Sequence, residues 1–124
     1  FSGSFKIPKG LLSISVSAFT NCAFTGEAEI PEGILSIGGG AFYNCENLQK
    51  IILPSSLELI DDQAFGYCKS LRVIECKSTV PPVVNDRAFY GVSLEDLTVI
   101  VPKSALNDYK SSAFWSGLLL KTVE

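Results

Sequence analysis

Pro8, Pro31 and Pro54 stand 23 residues apart, and that step governs the rest of the chain. The Ala-Phe pairs Ala18-Phe19, Ala41-Phe42 and Ala64-Phe65 keep the 23-residue step, and Ala88-Phe89 follows after 24. Cys22, Cys45 and Cys68 each lie three residues after their phenylalanine. Leu11, Ile34 and Leu57 match, as do Ile14, Ile37 and Ile60. Phe1-Ser2-Gly3 precedes Phe24-Thr25-Gly26 by the same 23 residues. Chance does not align so many columns, and a period of roughly 20–50 residues marks a stacked-repeat architecture.

Each unit has the same local logic. Leu48-x-x-Ile51-x-Leu53-Pro54 is a short alternating run, which predicts a strand with Ile51 and Leu53 on one face. Pro54-Ser55-Ser56 turns the chain. Leu57-x-x-Ile60 directs two more apolar groups inward. Asp61-Asp62 continues the bend, and Ala64-Phe65-x-x-Cys68 makes a tight helical or 3-10 turn back to the next strand. One unit offers roughly six large inward groups, each contributing about 1.5–3 kcal/mol on full burial. Ordering its backbone costs about 1–2 kcal/mol per residue. A lone coil therefore does not fold, and its strand leaves backbone groups unpaired. Stacking pairs the strands in parallel and joins the inward groups into one core.

With these units in view, Ile51-Ile52-Leu53-Pro54-Ser55-Ser56-Leu57-Glu58-Leu59-Ile60, followed by Ala64-Phe65-Gly66-Tyr67-Cys68, resembles the BspA-like (Treponema pallidum-type) bacterial leucine-rich-repeat family. The resemblance covers essentially the whole chain. It implies an α/β fold: a right-handed leucine-rich-repeat solenoid of about four to five 23-residue coils, with a curved parallel sheet and short helical or 3-10 turns. It also implies secreted or cell-surface proteins of host-associated bacteria, several of them adhesins, with no shared catalytic residues. Val99-Ile100-Val101-Pro102-Lys103, with Tyr109 and Trp115, looks like that family's C-terminal cap.

The expected organisation is a single domain over residues 1–124, with repeats in 1–101 and a cap in 102–124. Ser104 to Lys110 reads as a short helix, Leu106, Tyr109 and Trp115 as plugs over the last coil, and Leu118 to Leu120 as a last strand. No comparable cap precedes Phe1, so the chain reads as the C-terminal part of a longer array, with Phe5, Ile7 and Leu11 awaiting an upstream coil. The fourth unit departs from the pattern through an inserted residue, Pro81-Pro82, and Val92 in the cysteine column.

No reactive centre is evident. The chain has no histidine, the commonest general base and metal ligand. Without one, the cysteines have no partner to make a thiolate, and a stack of buried thiols is the expected role, with Cys76 in the column of Leu53 and Ile30. A Cys68–Cys76 disulfide is the alternative. Asp61-Asp62, Asp86, Asp96 and Asp108 fall in turns or at helix starts. A calcium site at Asp61-Asp62 would lack the ligand spacing of calcium-binding repeats. Gly38-Gly39-Gly40 has no Lys-Ser/Thr after it and reads as a turn, not a phosphate loop. Cofactors, catalytic residues and metal ligands are therefore expected to be absent. A net charge of −3 gives no footprint for nucleic acid, and the longest apolar runs are too short to span a membrane.

The strand face is then the expected binding surface. Alternation points Lys6, Glu29, Ile52, Glu75 and Ile100 outward in one column, and Ser4, Glu27, Lys50, Val73 and Thr98 in a second. Lys6 faces Glu29 and Glu27 faces Lys50, while Ile52, Val73 and Ile100 form an apolar strip flanked by charge. The expected partner is a host or bacterial surface protein or matrix protein. The alternative is a structural spacer that displays another domain.

Overall fold

The computed structural model describes residues 5–6, 10, 12–21 and 26–122, with residues 5–6 described by backbone alone. The chain winds between two parallel sheets. The larger takes β1 (Phe5–Lys6), β3 (Gly26–Glu29), β5 (Leu48–Leu53), β7 (Val73–Cys76), β9 (Thr98–Val101) and β10 (Leu119–Thr122), in that order. The smaller takes β2 (Ser13–Ile14), β4 (Ser36–Ile37), β6 (Leu59–Ile60) and β8 (Val83–Val84). Each of the first four large-sheet strands and the short strand that follows it thus lie on two walls of one coil.

Register follows the repeat. Ala28, Ile51, Ile74 and Val99 pair along one inward column of the large sheet, and Leu53 pairs with Cys76 in the next. Ile14, Ile37, Ile60 and Val84 pair along the small sheet. These side chains fill the space between the walls. Pro54 lacks an N–H and so ends its ladder, whereas Lys77, at the same position one coil on, donates to Leu53 O at 3.1 Å. A register shift between Gly26 and Glu27 places a bulge at the start of β3, where the sequence also lacks the Leu-x-x-Ile of later units.

The Ala-Phe segments stack as a third wall. Their N–H groups alternate between two acceptors. Ala41, Tyr43 and Cys45 donate three residues back, to Gly38, Gly40 and Phe42 at 3.0–3.3 Å. Gly40, Phe42 and Asn44 donate to Asp62, Ala64 and Gly66 of the next coil at 2.7–3.0 Å. The local bonds are of the 3-10 kind, but residues with positive φ, such as Asn21 and Asn44 (both 61°), break the run before it becomes a helix. Asparagine tolerates that conformation, and here Asn44 also donates through Nδ2 to Asn21 Oδ1 at 2.8 Å.

Inside this wall the rings of Phe19, Phe42, Phe65, Phe89 and Phe114 stack at centroid spacings of 5.2–5.4 Å. Phe114 belongs to the tail, where Ala113-Phe114 repeats the Ala-Phe pair 25 residues after Ala88-Phe89 and continues the ladder. Outside it, Tyr43, Tyr67 and Tyr90 meet edge to face at 5.5 Å. Tyr43 can lie there because Gly66 faces it; a Cβ on Gly66 would come within 2.9 Å of the Tyr43 ring.

The thiols have a structural role. Cys45 and Cys68 are fully buried and donate through Sγ to Phe19 O and Phe42 O, at 3.2 and 3.1 Å. Each thiol thereby ties its coil to the preceding one. Hydrogen bonding to Cys45 and burial push the Cys68 thiol far above its ordinary range. Cys68 and Cys76 are free thiols, with no disulfide between them. Cys22 lies outside the described residues.

Residues 102–122 close the last coil through 3-10 turns at Lys103–Ala105 and Trp115–Gly117, the helix α1 (Leu106–Lys110), and β10. Tyr109 and Trp115 are buried, and each satisfies a carbonyl of the last coil. Tyr109 Oη donates to Ser78 O at 2.7 Å, and Trp115 Nε1 to Pro82 O at 3.0 Å.

Candidate functional site

The outward face of the large sheet carries the nominated residues in two rows. One runs Lys6, Glu29, Ile52, Glu75, Ile100 and Lys121; the other runs Glu27, Lys50, Val73, Thr98 and Leu119. The rows are continuous because the β-strand period of two keeps every second side chain on one face. Ser4 and the side chain of Lys6 lie outside the described residues.

The Lys50 ion pair departs from the one expected directly across the strands, whereas the expected Lys6–Glu29 pair rests on a side chain outside the described residues. Lys50 sits opposite Glu27 in register, yet its Nζ lies 3.3 Å from Glu75, a diagonal neighbour. Glu29 pairs at 3.3 Å with Lys77, two strands away. Long lysine stems reach such diagonal positions, so register alone does not choose the partner. Both links pass beside Ile52, which stands between Glu29 and Glu75 in its row.

The apolar strip expected from the sequence is interrupted at Ile52, while Val73 and Ile100 stay part-exposed. Ile52 is only 9% exposed and stands in its row between Glu29 and Glu75, the acidic partners of the two ion pairs. Val73, Thr98 and Ile100 are half-buried, and Glu27 and Glu29 are exposed. The face is a charged lattice around an occluded isoleucine. Lys77, absent from the sequence reading, is part of it; it occupies the position where other coils have proline and so reads there as the end of a strand.

One end of the face opens into a groove of about 590 Å³, lined by Glu27, Gln49, Lys50, Ser70, Arg72 and Val73. The Arg72 guanidinium is held by Lys69 O and Leu71 O, both at 2.9 Å, so a fixed cation stands at the rim beside Lys50. The groove can form ion pairs and hydrogen bonds to a polar surface. Among the described residues no three potential metal ligands come together, and no helix is long and apolar enough to cross a membrane.

The pattern of coils is shared with known proteins. The model of the BspA type leucine rich repeat region matches residues 2–121 in six copies. The chain belongs to this family. A leucine rich cell surface protein from Faecalibacterium prausnitzii, known from its crystal structure, has 30% sequence identity to the chain and superposes with a TM-score of 0.66. The similarity covers 98% of this chain but 32% of that protein, so the chain corresponds to about a third of it. None of the curated proteins matches the chain. The BspA type repeat is generally a non-catalytic fold whose domains mediate protein interactions.

Proposed function

We propose that this leucine-rich-repeat chain is a secreted or surface-displayed bacterial module that binds a host surface or matrix protein, in adhesion, through the outer face of its large sheet. The observation that carries this reading is the fixed charge lattice of Lys50, Glu75, Glu29 and Lys77 around an open groove. Ion pairs at 27–51% side-chain exposure contribute little to folding, so they are available to set the register and partner of a polar interface. The likeness to a cell surface protein supports the location.

An array of extracellular-matrix proteins and surface glycoproteins, probed with the chain and with a Lys50→Glu/Glu75→Lys exchange, tests the proposal. The exchange preserves the attractive pair while inverting its pattern, so folding is retained. Saturable binding to an arrayed protein that the exchange weakens is the expected result. Silence across the array removes adhesion and leaves a structural spacer. Binding unchanged by the exchange removes the large-sheet face as its site.

A further inference from the structure

Arg72 and Arg87 are the chain's two arginines, and the fold holds them in different ways. Arg87 Nη2 lies 2.9 Å from Asp62 Oδ2, so its charge is already answered. Arg72 Nη1 donates instead to Lys69 O and Leu71 O, both at 2.9 Å. These carbonyls fix the guanidinium but do not neutralise it. The ion pairs of the described residues engage Lys50, Lys69, Lys77 and Arg87, and Arg72 stays exposed without an acidic partner. The way Arg72 is held also decides which donors remain. Both Nη1 protons go to the backbone, which leaves the Nε–Nη2 edge with its parallel donors. That edge matches the two oxygens of a carboxylate. Much of the rotamer freedom that a ligand would have to remove is already gone.

The groove that Arg72 lines is polarised. Glu27, Lys50 and Val73 stand side by side on β3, β5 and β7. Lys50 is paired with Glu75 at 3.3 Å. Two charges along the groove therefore remain without a partner among the described residues: Arg72, next to Val73, and the exposed Glu27. They stand two strands apart, about 10 Å across the sheet. Of the described residues that line the groove none is aromatic, so no ring is offered for a sugar to stack on.

We propose that Arg72 anchors this groove, and that its occupant is a protein segment presenting an isolated aspartate or glutamate to the Nε–Nη2 edge. A lysine or arginine about three residues away in the extended segment meets Glu27. Charge complementarity sets this order, because Glu27 repels a run of acids. The bare lining favours a peptide carboxylate over that of an acidic glycan. This rests on the reading of the large-sheet face as the binding surface, and it names the chemistry that the partner brings to it.

The test is a nuclear magnetic resonance titration of the whole chain labelled with heavy nitrogen. Its arginine Nε–H signals report on Arg72 and Arg87 separately, so Arg87 is a built-in control. The probe is an acetylated and amidated glycine-serine peptide carrying a glutamate and a lysine about three residues apart. Its counterpart has glutamine for the glutamate. The glutamate peptide should move the Arg72 signal saturably and leave Arg87 still, and the counterpart should bind about tenfold more weakly. Arg72→Lys keeps the charge but not the fork, and should weaken binding by about fivefold or more, read from the Val73 amide. Circular dichroism verifies that this variant is folded, and the wild-type Arg72 signal decides the matter if it is not. Equal binding of the two peptides, equal movement of both arginine signals, or full binding by folded Arg72→Lys overturns the proposal. Movement of the Arg72 signal by sialyllactose and not by the peptide gives the site to a glycan and overturns it too. The protein array separates this proposal from the preceding one. A partner lost in the Lys50→Glu/Glu75→Lys exchange but held fully by Arg72→Gln keeps the face and overturns the anchor. A silent array with a saturable Arg72 signal removes adhesion and keeps the carboxylate site.

Discussion

Trp115 Nε1 donates to Pro82 O at 3.0 Å, at the position where each earlier coil receives a backbone N–H from its successor. Leu12 O takes Leu35 N–H, Leu35 O takes Glu58 N–H, and Glu58 O takes Val83 N–H. Pro82 continues that column, and the indole replaces the strand that does not follow. Trp115→Phe retains most of the ring but orphans a buried carbonyl. We expect a loss of about 1–3 kcal/mol in urea unfolding followed by circular dichroism. An unchanged midpoint would mean that the indole acts through bulk alone.

The phenylalanine ladder makes a second quantitative demand. Phe42 and Phe65 lie 5.2 Å apart and 2° from parallel, and both are fully buried. Phe65→Ala leaves a ring-sized cavity between two coils and should cost about 3–5 kcal/mol. A Phe42→Leu/Phe65→Leu cycle should return a coupling of about 0.5–1.5 kcal/mol beyond the area term. Additivity of the two single changes would show that the rings merely fill space.

Alkaline pH should unfold the chain. Burial pushes the Cys76 thiol up from 9.0 to about 12, and burial together with Cys76 pushes the Tyr109 phenol upward as well. Above the ordinary thiol range the unfolded chain releases this proton and the folded chain keeps it. Stability from Cys76 is therefore complete below pH 9 and declines toward pH 12 by up to about 1.4 kcal/mol per unit. Urea midpoints at pH 8 and pH 10.5 should differ accordingly, and Cys76→Val should reduce the difference. A midpoint independent of pH in that range would contradict the buried-thiol account.

The repeat was legible because stacked coils need identical inward groups at identical positions. Leu48, Ile51, Leu53, Ile60 and Phe65 therefore announce the core, and Cys76 could be placed in it from its column alone. Tyr109 and Trp115 were legible as plugs because an open coil end must be covered. The small sheet was not, because two-residue strands such as Leu59–Ile60 carry too little alternation to distinguish strand from turn. The two outward rows of the large sheet were legible from the period of two, but their ion pairs were not. Side-chain reach, not register, gave Lys50 to Glu75 and Glu29 to Lys77. Phe114 escaped notice because the tail breaks the 23-residue step just where the aromatic ladder continues.

Ile52 separates the two views of the large-sheet face. Read by alternation, it is an exposed strand residue whose truncation leaves folding intact. Its 9% exposure, between the Glu29–Lys77 and Lys50–Glu75 links, makes it a small outer core instead. Ile52→Ala should therefore destabilise the chain by about 1.5–3 kcal/mol. Lys77→Ala removes one partly exposed ion pair and should cost no more than about 1 kcal/mol. Thermal unfolding of the two variants side by side checks the ordering. If Ile52→Ala costs no more than Lys77→Ala, the burial of Ile52 contributes little and the face is an ordinary solvated one.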